Sequence, residues 1–164
     1  DVSYIWNIHD YDYLSEKSSR MIDSAEQNIL ISGWQQEISV FEQSLKNKIQ
    51  HNILVSMVHF GKTNTNIGQV FQHPIEDTIY AEKGGRGLVI VIDSKEAMIG
   101  TILNDNSVEG AWSMNKGFVT LAEDYIKHDI YIMKIVKRFD DLLTEKFGEK
   151  YEKLRDIFND KENP

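Results

Sequence analysis

The five histidines, His9, His51, His59, His73 and His128, are the side chains best suited to move protons or hold a metal near neutral pH. No two of them recur at the i, i+4 spacing that puts two ring nitrogens on one helix face for zinc. His73 with Glu76 or Asp77 comes nearest to a metal pattern, but it sits beside Pro74, where a surface loop is the simpler account. His128 and Asp129 are adjacent in a helical stretch and so do not face each other. With no Cys in the chain, thiolate metal sites, disulfides and a cysteine nucleophile are excluded. No metal site and no cofactor is expected.

Two glycine-bearing stretches invite a phosphate reading, and spacing rejects both. Gly61-Lys62-Thr63 follows an apolar run, as the end of a phosphate-binding loop would. That loop needs a second glycine five residues earlier, so that backbone amides can wrap the phosphates. Position 56 is Ser56, inside the run. Glu82-Lys83-Gly84-Gly85-Arg86-Gly87 is glycine-rich, but it precedes an apolar run, whereas a dinucleotide loop follows a strand and opens a helix. A turn entering a sheet is the expectation, with Arg86 at the strand mouth able to hold an anion or a polar ligand.

Trp34 and Trp112 close apolar runs and are followed by polar residues: Gln35, Gln36 and Glu37 after the first, Ser113 and Asn115 after the second. Open α/β sheets bind ligands beyond the carboxyl ends of their strands. Aromatic faces beside hydrogen-bonding groups suit sugars and other small polar molecules. Either Trp alone is slightly better explained as core; the pair together strengthens the pocket reading. Trp34, Glu37, His59, Arg86, Trp112 and Asn115 are therefore the candidate ligand-binding residues, chosen by their position at strand ends. Trp112 would stack on a ring face, while Glu37, Arg86 and Asn115 would bond hydroxyls or an anionic group.

The elements that must position these residues alternate. Tyr4 to Ile8 reads as a short strand, and His9-Asp10-Tyr11-Asp12 as an acidic helix start. Asn28 to Ser32 and Ile53 to Phe60 read as buried strands around a helix carrying Ile38, Phe41, Leu45 and Ile49 on one face. Strand, helix, strand, helix, strand favours parallel pairing with helices covering the sheet. Gln69 to Gln72 is a short strand ended by Pro74. Leu88 to Asp93 is the most apolar run. Ser94-Lys95-Glu96 turns it back into Ala97 to Leu103, and Val108 to Met114 is the last strand. From Phe118 apolar residues recur every three or four positions through Phe147, with Ile126, Ile130 and Met133 widening the face. Packing on the chain's own sheet is the first account of that width, a partner subunit the second. Tyr151, Leu154, Ile157 and Phe158 suggest a short terminal helix.

At 164 residues with 41% hydrophobic and 27% charged residues, the chain suits a single domain. Its formal net charge of -8 argues against gripping nucleic acid by charge. No apolar run approaches the roughly 20 residues of a membrane span, and no secretion signal opens the chain.

The stretch from Ile90 to Gly100 resembles the strand, turn and strand of the phospholipase D superfamily. Asp93 and Gly100 stand at that family's spacing, and Thr101 takes its Ser position. The positions of the catalytic His and Lys hold Arg86 and Leu88. Arginine stays protonated and cannot be the nucleophile, and leucine carries no charge for a phosphate. The resemblance implies a phospholipase D-like fold, a mixed β-sheet flanked by helices, with catalysis lost and no catalytic residue to assign. The alternative is a divergent phosphodiesterase using His59 or His73.

Most of the chain, from about Ile5 to Ile135, resembles the effector-binding domain of TrmB-family transcriptional regulators. The resemblance lies in Ile29 to Trp34, Gly87 to Gly100, Glu109 to Asn115 and Ala122 to Tyr131, in that order. It implies a single α/β regulatory domain over 1–164 with a long C-terminal helix. It implies a cytoplasmic homodimer that senses a small effector, such as a sugar. It also implies that DNA is reached only through an N-terminal winged-helix domain, which is absent from this chain. No coiled-coil segment is read from the sequence. A pure dimerisation module with a decayed pocket is the third possibility.

Overall fold

The structure, a computed structural model, describes residues 3–73 and 84–159. β1 (Trp6–Asp10) ends at Asp10, whose carboxylate accepts the Tyr13 amide at 2.8 Å and so caps α1 (Tyr11–Asp23). Leu14, Ser18, Met21 and Ile22 form the buried face of α1. β2 (Asn28–Trp34) runs straight into α2 (Gln35–Gln50), which buries Glu37, Ile38, Phe41 and Leu45. β3 (Leu54–Phe60), β4 (Gln69–His73), β5 (Arg86–Ile92), β6 (Glu96–Ile102) and β7 (Ser107–Ser113) complete one seven-stranded sheet in the order β1-β7-β6-β5-β2-β3-β4.

Parallel pairing holds for β2 with β3 and for β3 with β4. It fails for β1, which pairs antiparallel with β7 at the far edge, Trp6 opposite Trp112. The five residues of β1 carry one buried side chain, Ile8, the burial of an edge strand; the alternation of elements gives no information on which edge such a strand joins. β5, β6 and β7 form an antiparallel meander set beside β2. β5 starts at Arg86, so Arg86 and Gly87 are strand residues, not loop; Glu82 and Lys83 lie outside the described residues. The β5–β6 turn is Asp93-Ser94-Lys95, with Asp93 and Ser94 at φ 56 and 55, the left-handed geometry of a tight hairpin.

Side-chain alternation gives the sheet two distinct faces. Ile29 and Ile31 of β2, Leu88 and Ile90 of β5 and Met98 of β6 pack with α1 and α2 in one continuous core. Gly68 allows β4 to join: at φ +71, an added Cβ would lie 2.3 Å from the Val55 carbonyl oxygen. Gly68→Ala is expected to destabilise by about 2–3 kcal/mol, through strained φ and overpacking together. Urea denaturation checks this as a lower midpoint at unchanged slope.

α3 (Lys116–Phe147) starts two residues earlier than the apolar pattern suggests, because Asn115 Oδ1 accepts the Phe118 amide at 3.1 Å. The chain divides into two compact units that meet between Ile130 and Tyr131. The first holds the whole sheet, α1, α2 and the start of α3, where Val119, Ala122 and Ile126 are buried. The second holds the rest of α3, a break from helical geometry at Phe139, a 3-10 turn (Glu149–Tyr151) and α4 (Glu152–Arg155). In this unit the Tyr151 hydroxyl donates to Asp140. The expected terminal helix shrinks to those four residues of α4: Ile157 and Phe158 lie beyond it at 76% and 94% exposure, with no apolar surface to hold them in a helix.

Candidate functional site

Trp34 is both the last residue of β2 and the N-cap of α2, which places Glu37 in the first helical turn. The positive end of the helix favours a carboxylate there. β5 runs antiparallel to β2, Ser32 opposite Val89, so Arg86 at its start arrives at the same end of the sheet. Glu37 is 1% exposed and Arg86 15% exposed by side chain. Arg86 Nε donates to Glu37 Oε1 at 3.0 Å and a terminal nitrogen of its guanidinium to Oε2 at 3.2 Å, a two-pronged pair. Tyr11 from the start of α1 donates its hydroxyl to Oε2 at 2.8 Å. Burial, and then the neighbouring carboxylate, push the Tyr11 phenol up to about 12, so it stays a neutral donor.

His59 near the end of β3 is fully buried. The Gly61 carbonyl, 2.9 Å from Nδ1, can only accept, so that nitrogen carries the proton; Nε2 lies 2.9 Å from Gln35 Oε1. Trp34 stacks on Phe60 at 5.5 Å between centroids, and Phe60 in turn meets His73 at 4.9 Å. A polar cleft of about 280 Å³ opens over these strand ends, lined by Trp34, Gln35, Gln36, His59, Phe60, Gly61, Lys62 and Arg86.

Four of the six sequence candidates, Trp34, Glu37, His59 and Arg86, therefore gather at one end of the sheet. Glu37 serves there as the anchor of Arg86. Trp112 and Asn115 do not join them. β7 runs antiparallel to β6, Met98 opposite Trp112, so its carboxyl end lies at the other end of the sheet from that of β2. Trp112 is also engaged: its Nε1–H donates to Glu96 Oε2 at 2.9 Å, and Lys17 Nζ sits 3.8 Å over its ring. Asn115 caps α3. Sequence reasoning missed Tyr11, whose place at a helix start gave no functional signal, and Gln35 and Lys62, which flank motifs judged on other grounds. Glu76 and Asp77 of the His73 pattern lie outside the described residues. No cluster of three or more metal-ligating side chains exists among the described residues.

The residues at the phospholipase D-like spacing take structural places. Leu88 is fully buried in the core. Asp93 follows β5 at the opposite end from Arg86, about 23 Å away by strand rise. Its carboxylate accepts the Glu26, Gln27 and Asn28 amides at 2.9, 2.8 and 2.9 Å. Burial acts to raise its pKa, but these backbone donors outweigh it and hold the carboxyl below its usual range.

The mixed sheet, the helices on it and the long C-terminal helix define a domain of the α/β class. The model of the TrmB transcriptional regulator effector-binding domain, N-terminal subdomain, matches residues 4–115, and the chain belongs to that family. An uncharacterised protein of Bacillus subtilis, YrhO, is 31% identical over 159 residues, covering 97% of this chain. The chain spans 58% of the length of that relative. Among solved structures, the archaeal chromatin protein TrmBL2 superposes with a TM-score of 0.59 at 11% identity over 78% of this chain and 52% of its own. NucT from Helicobacter pylori superposes at 0.57 with 14% identity, over 78% of this chain and 96% of its own. At these identities the likeness is one of fold.

Proposed function

We propose that the chain is the effector-sensing and dimerisation domain of a TrmB-family regulator, acting as one cytoplasmic regulatory domain without phospholipase D catalysis. The effector is a small polar molecule, with sugars the first class to test. It enters the cleft over Trp34, His59, Lys62 and Arg86. DNA is engaged through a winged-helix domain outside this chain. The observation that carries this reading is the Glu37–Arg86 pair at the strand mouth. It holds a rigid, multi-donor guanidinium beside an aromatic face, where a phosphodiesterase would need a free nucleophile. The full burial of His59, with Nδ1 held by the Gly61 carbonyl, and the buried Leu88 support the same reading against the divergent phosphodiesterase.

Dimerisation is supported by a stripe along α3. Leu121, Tyr125, Ile132, Ile135, Phe139 and Leu142 are all exposed. Leu121 and Tyr125 belong to the first unit and the other four to the second, and each group offers apolar surface that a second copy would cover. Effector would act by binding one dimer arrangement more tightly than another.

The test is a thermal-shift screen of sugars, polyols, sugar phosphates, nucleotides and inorganic anions. A ligand at a hundred times its Kd stabilises by about 2.7 kcal/mol, which is roughly 5–10 °C for a chain of this size. The expected result is a selective shift that disappears in the Glu37→Met/Arg86→Met double variant. A shift unchanged in that variant would place the effector elsewhere. A flat screen over a folded dimer would favour an assembly module.

A further inference from the structure

The other face of the sheet carries a second cavity, unlike the first in chemistry. It has a volume of about 530 Å³ and lies between β5, β6 and β7 below and the first turns of α3 above. Strand register orders its floor in two rows. Gly87, Thr101 and Glu109 lie side by side across the meander. Ser32, Val89, Ile99 and Ala111 form the next row. Phe60 closes one side, and Phe118, Leu121 and Tyr125 form the roof.

Two features mark this as a built site. Gly87 makes the space: an added Cβ there would meet nothing within 4 Å, and its φ is ordinary for a strand, so no backbone requirement explains the glycine. A few polar groups face into it. Ser32 is 1% exposed overall and lines the cavity, with no side-chain hydrogen bond to another described residue. Half-buried Thr101 and exposed Glu109 stand at its rim. Glu109 is the one charged residue in the lining.

We propose that this cavity binds a lipophilic organic cation, with its apolar body against Val89, Phe60 and Phe118 and its charge at Glu109. Apolar walls reject sugars and nucleotides, whose hydroxyls and phosphates would lose water without replacement. A carboxylate at the rim of an apolar, aromatic-lined cavity selects a positive charge, and the ring faces add to that attraction. The formal charge of -8 works in the same direction over longer range. The size lies within that of ordinary small-molecule sites. It adjoins the strand-end cleft at Phe60, which lines both, while Arg86 and Gly87, being neighbours on a strand, point to opposite faces.

Isothermal titration calorimetry with tetraphenylphosphonium tests this, with tetraphenylborate as an anion of the same shape. The cation is expected to bind and the anion not. Glu109→Gln should weaken the cation about tenfold. Gly87→Val should remove binding while leaving the melting temperature equal or higher, since a β-branched residue suits a strand with room for it. Ala111→Leu plugs the cavity from β7 and serves as a second blocking variant. Glu37→Met/Arg86→Met should leave cation binding unchanged. Failure of the cation to bind, equal binding of the anion, or undiminished binding in both blocking variants would overturn the proposal.

Discussion

Arg86→Ala is expected to lower the stability of the domain by about 3 kcal/mol, close to the loss caused by breaking a buried ion pair from one side. The reason is what it leaves behind. Glu37 is 1% exposed, and two of its hydrogen bonds come from Arg86. With the guanidinium gone, a carboxylate remains out of water with only the Tyr11 hydroxyl to hold it. For a chain of this size the loss corresponds to roughly 6–12 °C in melting temperature. Removing both charges should cost far less: Glu37→Met/Arg86→Met replaces the pair with apolar groups of similar length, a change that is often near neutral. A double-mutant cycle in urea therefore reads a coupling of more than about 2 kcal/mol. If Arg86→Ala and the double variant are equally stable, the pair is a surface ornament. Arg86→Lys should fall between them, because an ammonium cannot make the two-pronged contact.

Asp93→Ala should cost about 2–3 kcal/mol, although Asp93 sits at the motif position that would suggest chemistry. Its carboxylate collects three successive backbone amides where the chain enters β2. Charge-assisted bonds of this kind are among the stronger single contributions to stability. The residue also sits at φ 56, which alanine tolerates less well than aspartate or asparagine. Asp93→Asn should therefore lose less than Asp93→Ala. The carboxyl is held below its usual range in the folded protein, so its stabilisation is fully present above the unfolded value near 4 and is lost as pH falls through the lower folded value. The gap in unfolding free energy between wild type and Asp93→Asn should be widest at pH 7 and shrink steadily below pH 4. A gap that stays constant across that range would show that the charge is irrelevant and only the turn geometry counts.

Much of the fold was legible in residue pattern. Ile38, Phe41 and Leu45 announced the buried face of α2, and the run from Leu88 to Ile92 announced the central strand. What could not be read was direction and neighbour. Nothing in Trp6-Asn7-Ile8 tells that strand to pair with β7, because edge strands carry too few buried side chains to specify a partner. The same blindness split the candidate site. Trp34 and Trp112 both close strands, but a meander reverses direction at every hairpin, so two strand ends in sequence are opposite ends in space. Glu37 and Arg86, 49 residues apart, met because β2 and β5 are neighbours, which local pattern does not encode. The apolar residues of α3 were visible one by one, yet which of them are buried, such as Ala122 and Ile126, and which exposed, such as Leu121, depends on the sheet beneath them.

The alternation along β5 has a consequence for how such a domain can diversify. Arg86, Leu88 and Ile90 serve one side of the sheet, and Gly87 and Val89 the other. Substitutions at the second set, together with Thr101 and Ala111, can retune what one cavity accepts while the paired charges and the core stay untouched. A library confined to those four positions would search new specificities on a scaffold whose folding is decided elsewhere. Alternate residues of one strand thus face different surroundings, and one set can drift while the other is held fixed.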